Sequence, residues 1–278
     1  MECPVCSSAA ADQFISIKSY RLVKCRTCGL IFCDNYRSPA ETTKFYEHLY
    51  DPGEKYAGYS NTDDFRREEF SYQLEQINRF HPKGGRLLDV GCSTGEFLEM
   101  ASQTGRYVVD GIDISSEAAR AASARLKKNI FAGTVDNIPV APESYDVVTA
   151  WEVIEHMAEP AKFLRTIRRL LKPDGLLCLS TPNTNKLRNR FPGKPRDIFF
   201  IPPEHLLYFS GRNLRLLATN CGYFPLTIDA SSRRFLQWIP GRHKLLRGLF
   251  HNALELAAKA GIEGFNVVAY LRKNLNGA

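Results

Sequence analysis

The chain contains no apolar run approaching the ~18 residues needed to cross a bilayer. Its opening residues, Met1-Glu2-Cys3-Pro4, carry neither the basic nor the apolar part of a secretion signal. Both absences point to a cytoplasmic protein. No internal repeat and no low-complexity segment is present, which excludes solenoid and fibrous architectures. An acidic surplus is also missing: the net charge is +7 over 278 residues. The basic residues concentrate in the second half, with Lys186, Arg188, Arg190, Lys194 and Arg196 in one loop and Arg233, Arg234, Arg242, Lys244 and Arg247 in another. Such clusters suit anionic partners, and ordinary solvated surface charge is the equal alternative. Core size is not limiting, since a chain of this length buries up to roughly three quarters of its unfolded surface.

What is present begins with cysteine. Cys3-Pro4-Val5-Cys6 and Cys25-Arg26-Thr27-Cys28 stand eighteen residues apart, a spacing that brings two Cys-x-x-Cys turns together as a four-thiolate tetrahedral zinc site. Disulfides are the competing reading, and a reducing cytoplasm argues against them. Four thiolates leave no open coordination position, so this zinc would be a structural staple for a ribbon over 1–40. Cys33, Cys92, Cys178 and Cys221 lie in or beside apolar runs and read as small buried hydrophobes.

A tyrosine-rich segment follows, with Tyr46, Tyr50, Tyr56 and Tyr59 reading as helix then loop, and then a helical pattern over 64–80 closed by His81-Pro82-Lys83-Gly84-Gly85. Residues 41–85 thus form a helical lid or linker. From Arg86 on, strands and helices alternate: strands 86–90, 107–112, 130–132, 145–150 and 175–181, with helices 95–104, 115–128 and 160–171 between them. Alternation of this kind argues for an α/β fold with a parallel, doubly wound sheet. Ser115 begins one helix, Pro160 sits in the first turn of another, and Lys172-Pro173-Asp174-Gly175 makes the turn into the next strand. Later elements are a helix near 210–221, a strand near 223–229, a helix near 243–260 and a strand at 265–271.

The run Leu87-Leu88-Asp89-Val90-Gly91-Cys92-Ser93-Thr94-Gly95 is an apolar strand entering a glycine turn and then a helix. Gly91 and Gly95 let a ligand approach the backbone, and Asp113, eighteen residues past Gly95, ends the next strand where its carboxylate can accept both ribose hydroxyls. The turn is Gly-x-x-x-Gly and not the Gly-x-Gly-x-x-Gly of pyrophosphate binders, and Asp89 just before it suits an ammonium group. These residues resemble motif I of the class I S-adenosylmethionine (SAM)-dependent methyltransferases. Ser93 replaces the family's middle glycine, with ordinary turn angles expected for it. The resemblance implies a Rossmann-like, seven-stranded sheet over 86–278 whose last two strands form an antiparallel pair, with substrate-side insertions in 182–260. It also implies a SAM site made by Asp89, Gly91, Cys92, Gly95 and Asp113. Ile114 and Val135 would cover the adenine, Thr134, Asp136 or backbone would meet its amino group, and Trp151 would lie beside the methionine portion or simply fill the core.

The segment Ala150-Trp151-Glu152-Val153-Ile154-Glu155-His156-Met157 resembles its counterpart in ubiquinone-type O-methyltransferases. It lacks the Asn/Asp-Pro-Pro-Tyr of enzymes that methylate base amines, and the Pro-Cys of cytosine carbon-5 enzymes is missing as well. Ile201-Pro202-Pro203-Glu204-His205 resembles the Glu-His segment of deoxysugar C-methyltransferases, which also carry an N-terminal zinc domain. By that resemblance His205 is the candidate base, with Glu204 orienting it or binding substrate. Only one of the two should face the acceptor if the chain is extended there. Tyr56 and Tyr59 are candidates for a lid, and His156 for substrate contact. The acceptor implied is a small anionic molecule, a nucleotide sugar or glycan intermediate, methylated on a hydroxyl or carbon.

Two other readings stand beside it. On a helix Glu152, Glu155 and His156 would share one face, and with His205 they resemble the magnesium site of small-RNA 2′-O-methyltransferases. Acids favouring a helix N-terminus explain the same carboxylates without a metal. The mixed basic and apolar residues of 242–259 suit a noncatalytic scaffold that touches a membrane surface, or simply a helix that caps a core.

Overall fold

The computed structural model describes residues 2–36, 64–185, 200–231 and 266–274, with residues 45 and 48. The tyrosine-rich segment, both basic loops and the helix expected near 243–260 lie outside the described residues.

Seven strands form the main sheet. In chain order they are β4 (Gly85–Val90), β5 (Tyr107–Asp113), β6 (Phe131–Ala132), β7 (Tyr145–Trp151), β8 (Leu171–Pro182), β10 (Tyr223–Ser231) and β11 (Asn266–Lys273). Their spatial order is β10-β11-β8-β7-β4-β5-β6. The pairs from β6 to β8 are parallel, while β11 runs antiparallel to both β8 and β10. The expected antiparallel final pair is therefore present, at the sheet's edge. The connecting helices are α2 (Glu96–Gln103), α3 (Ser116–Leu126), α4 (Pro160–Leu170) and α5 (Gly211–Asn220), with α1 (Asp64–Phe80) ahead of β4. Leu87, Leu88, Val147, Val148, Leu177 and Leu179 are fully buried in the central strands, as near-continuous apolar runs in a two-sided parallel sheet require.

Local chemistry sets the boundaries. The Ser115 hydroxyl accepts the Ala118 amide and caps α3, and Pro160 stands in the first turn of α4. The Lys172–Gly175 turn takes an unexpected form, a bulge inside β8 and not a turn before it. Tyr145 pairs with Leu171 but Val147 with Leu176, so the extra residues loop out of one continuous strand, with Asp174 at φ +60°.

A second sheet of four strands has the order β1-β2-β3-β9. The first three, β1 (Ala11–Ile17), β2 (Tyr20–Cys25) and β3 (Ile31–Cys33), belong to the N-terminal cysteine segment. The fourth, β9 (Leu207–Tyr208), comes from far down the chain and pairs antiparallel with β3, Ile31 opposite Tyr208 and Phe32 opposite Leu207. Cys3, Val5, Leu30 and Phe32 share one apolar cluster with Ile154, Leu206 and Phe209.

Candidate functional site

The glycine turn is held by hydrogen bonds to β5: the amides of Gly91 and Cys92 both donate to the Ile112 carbonyl, at 2.8 and 3.0 Å. Gly91 and Gly95 have φ +73° and +81°, a region that costs other L-residues about 1–2 kcal/mol. A Cβ at Gly91 would also stand 2.6 Å from Val153 Cγ2. Ser93 departs from the ordinary turn angles expected of it, with φ +48°. The reason is the pull of Asp113, whose Oδ2 accepts the Ser93 amide at 2.8 Å while its Oδ1 accepts the Ser115 amide at 2.9 Å. Each carboxylate oxygen keeps a second lone pair for a ligand hydroxyl. Burial raises the Asp113 pKa above the usual carboxylate range, against those two amides. Asp89 is buried more deeply, and its pKa is pushed up to about 7 by that burial, against a 2.6 Å hydrogen bond donated by Thr149 Oγ1 and with the Asp113 charge adding.

The other expected cofactor residues sort by what their side chains touch. Cys92 turns its thiol into the core, which pushes that thiol well up and leaves only its backbone at the turn. Val135 is buried, Ile114 partly so, and Thr134 is exposed. The Asp136 carboxylate is bound by Thr166 Oγ1 at 2.8 Å and Lys162 Nζ at 3.2 Å on α4. Trp151 stacks edge-on against Phe97 of α2 at 5.4 Å, and Phe97 meets Phe70 of α1 in the same way. Ser93 Oγ and Trp151 Nε1 are buried without a hydrogen-bond partner among the described residues. A glycine turn open to approach, a buried strand-end carboxylate and two unpartnered donors beside them fit a nucleoside cofactor.

Helical spacing does not hold for Glu152, Glu155 and His156. Glu152 has φ +55° and only Ile154–His156 form a single 3₁₀ turn. Glu152 consequently faces the sheet: its Oε1 accepts from Ser180 Oγ at 2.8 Å and Asn266 Nδ2 at 3.2 Å. Glu155, His156 and His205 come together instead, each offering one ligand atom within 4.8 Å of the others. The two imidazoles meet edge to face with centroids 4.9 Å apart. The Glu204–His205 segment is a turn and not an extended run, since the Glu204 and His205 amides both donate to the Ile201 carbonyl. It is the Glu204 backbone carbonyl that lies 2.6 Å from His156 Nδ1. Because a carbonyl only accepts, Nδ1 carries the proton. Burial of the His156 ring holds its pKa below the ordinary histidine range, with that carbonyl working in the opposite direction.

Four sulfurs form the second cluster, Cys3, Cys6, Cys25 and Cys28, all within 4.8 Å of one another. The Cys3–Cys28 and Cys6–Cys25 sulfur pairs are each 3.5 Å apart, near the ~3.8 Å edge of a tetrahedral zinc–thiolate centre. None is in a disulfide. Burial pushes the Cys3 thiol up to about 11 and Cys28 further, whereas the Cys25 thiol comes down to about 6, burial there being outweighed by the amides of Cys28 and Thr27. A divalent ion is what would hold all four as thiolates.

Sequence reasoning missed Ser180 and Asn266, which orient Glu152, and Glu96, a buried acid in the first turn of α2 whose Oε2 lies 3.6 Å from Arg66 Nη1 of α1. A polar residue inside an apolar strand was the available signal for the first two. Tyr56 and Tyr59 lie outside the described residues. Among the described residues no helix is long and apolar enough to cross a membrane.

Comparison with known proteins agrees with this geometry. The ubiquinone biosynthesis O-methyltransferase of Neisseria meningitidis serogroup C (strain 053442) is 36% identical over 110 residues, 37% of this chain and 46% of that protein. The enzyme of the same name from Cereibacter sphaeroides (strain ATCC 17025 / ATH 2.4.3) is 38% identical over 107 residues, 37% of this chain and 43% of that one. The chain thus spans less than half the length of the curated relatives it matches. The fold is similar to Burkholderia thailandensis 1,6-didemethyltoxoflavin-N1-methyltransferase with bound S-adenosylhomocysteine, at TM-score 0.56 and 13% identity, covering 95% of this chain and 100% of that one. It is also similar to geranyl diphosphate C-methyltransferase from Streptomyces coelicolor A3(2), at TM-score 0.54 and 17% identity, covering 73% and 76%. A family model described as a methyltransferase domain matches residues 64–227, more than half of the chain, so with its seven-stranded Rossmann-like sheet this protein belongs to the class I SAM-dependent methyltransferase family.

Proposed function

We propose that the protein methylates a hydroxyl oxygen of a small acceptor, with His205 as general base. When bound, SAM supplies a methyl carbon already activated by its sulfonium, so the chain's own residues are left with alignment and deprotonation. Asp113 would hold the ribose hydroxyls, Asp89 would face the ammonium group, and Gly91 would let the ligand lie against the backbone. His205 takes the hydroxyl proton as the acceptor oxygen attacks. The observation that carries this reading is the approach of His205 to His156, which lies on the turn that begins at Val153, the residue packed over Gly91. The O-methyltransferase relatives favour oxygen over carbon and a quinone-type acceptor. They lend nothing to the sugar-linked acceptor, and neither the RNA nor the scaffold reading gains support. Turnover of labelled SAM with a panel of catechols, hydroquinones and nucleotide sugars tests it. His205→Ala should lower kcat by about 10²-fold or more with SAM affinity unchanged, and equal turnover would discard the base.

A second reading rests on the proximity of Glu155, His156 and His205. One carboxylate and two imidazoles suit zinc or a transition ion better than magnesium, which prefers oxygen donors. Glu152 would stand outside this set. A metal there takes the lone pair that a base needs, so the two roles are exclusive. Loss of turnover on chelation, restored by manganese while the four-cysteine zinc stays bound, would select the metal; turnover unaffected by chelation would select the base. At the four cysteines we propose structural zinc, checked by metal content of one ion per chain and its loss in Cys6→Ser.

A further inference from the structure

We infer that the cysteine ribbon is a positioning device for His205, acting through β9. His205 stands two residues ahead of β9, the strand that completes the ribbon sheet. One residue, Leu206, ties the two parts together: its carbonyl accepts the Cys33 amide of the ribbon at 2.9 Å, and its amide donates to the Glu155 carbonyl at 2.9 Å. His205 is thereby clamped between β3 on one side and the 3₁₀ turn carrying Glu155 and His156 on the other.

Tyr208 is the lever. Its backbone pairs with Ile31, its hydroxyl donates to the His205 carbonyl at 2.9 Å, and its ring stands 6.2 Å from the His205 imidazole. A stack of rings couples it to the ribbon hairpin: Phe200 meets Tyr208 at 4.8 Å and Phe14 of β1 at 5.6 Å. Leu22, Ile31, Cys33, Phe200 and Tyr208 form one buried cluster. The hydrogen bonds that fix the cofactor residues run elsewhere, Gly91 to Ile112, Asp113 to Ser93 and Ser115, and Asp89 to Thr149. Disturbing the ribbon should therefore reach the acceptor chemistry and spare the cofactor site. A buried side chain whose neighbouring residue is hydrogen-bonded through its backbone to two separate elements loses its preferred placement when either is released, and misplacement of a reacting group by about 1 Å can cost on the order of 10²-fold in rate.

This inference rests on His205 acting in the reaction, and its test separates the two. Tyr208→Phe deletes the hydroxyl bond and keeps the ring. The expected result is a shifted His205 imidazole resonance in ¹³C/¹⁵N-labelled protein, about a tenfold lower kcat and unchanged SAM affinity by calorimetry. Cys3→Ser/Cys28→Ser, which opens the ribbon, should broaden the same resonance, again with SAM affinity retained. A shifted resonance with unchanged kcat would keep the positioning and discard His205 as the base. An unchanged resonance in Tyr208→Phe overturns the positioning, whatever the cysteine variant does.

Discussion

Gly91→Ala should damage the protein through a single identifiable contact. The glycine has φ +73°, so any side chain there carries about 1–2 kcal/mol of backbone strain. The added methyl would also sit 2.6 Å from Val153 Cγ2, a contact that must open by about 1 Å. Val153 cannot swing away easily, because its β-branch restricts χ1, and overpacking of this kind costs about 1–3 kcal/mol. The sum is about 2–5 kcal/mol. Val153→Ala alone removes partly buried methyls and should cost about 1 kcal/mol. In the double variant the clash disappears while the strain remains, so the two changes should couple favourably by about 1–3 kcal/mol. Urea unfolding of the four proteins measures that coupling. Additivity within about 0.5 kcal/mol would refute the contact as the cause.

Three further expectations concern the same crevice. Ser93→Gly relieves the left-handed strain at φ +48° and, after the entropy glycine adds to the unfolded chain, should raise stability by about 0.5–1 kcal/mol; a lower melting temperature would contradict this. Asp89, with its pKa raised to about 7 by burial, stabilises the fold fully below the unfolded carboxylate value near 4 and loses that contribution as pH rises through 7. Stability of the wild type should thus fall over that window by up to about 1.4 kcal/mol per pH unit, and Asp89→Asn should flatten the slope; parallel profiles would show that the carboxyl does not titrate there. Asp113→Asn leaves one carbonyl oxygen to serve two amides and should weaken SAM by about 10–100-fold, from loss of a charged hydrogen bond worth about 1.5–3 kcal/mol, as calorimetry would record; an unchanged Kd would remove Asp113 from the cofactor site.

Much of the fold was legible because its signals are local. Apolar strand runs, the Ser115 cap and Pro160 placed β4 to β8 and the helices between them to within a few residues, except where the Lys172–Gly175 bulge extends β8 toward α4. The two Cys-x-x-Cys turns were legible for the same reason, since thiolate spacing is written into the chain. Glu152 was not: helical periodicity assumes a helix, and one left-handed residue redirects the carboxylate toward Ser180 and Asn266. Ser93 was misjudged because its backbone angle answers to Asp113, a residue in another strand. Strand β9 left no readable mark at all. Two residues cannot display a period, and their partner in β3 lies most of the chain away.

That last pairing has a consequence for how the chain reaches its native state. The ribbon leaves the ribosome well before residues 207–208, yet its sheet waits for them before its outer edge is covered. Closing so long a loop is slow, and an open strand edge invites wrong partners meanwhile. Early capture of metal by the paired cysteines would let the nascent segment hold its shape until synthesis delivers the missing strand.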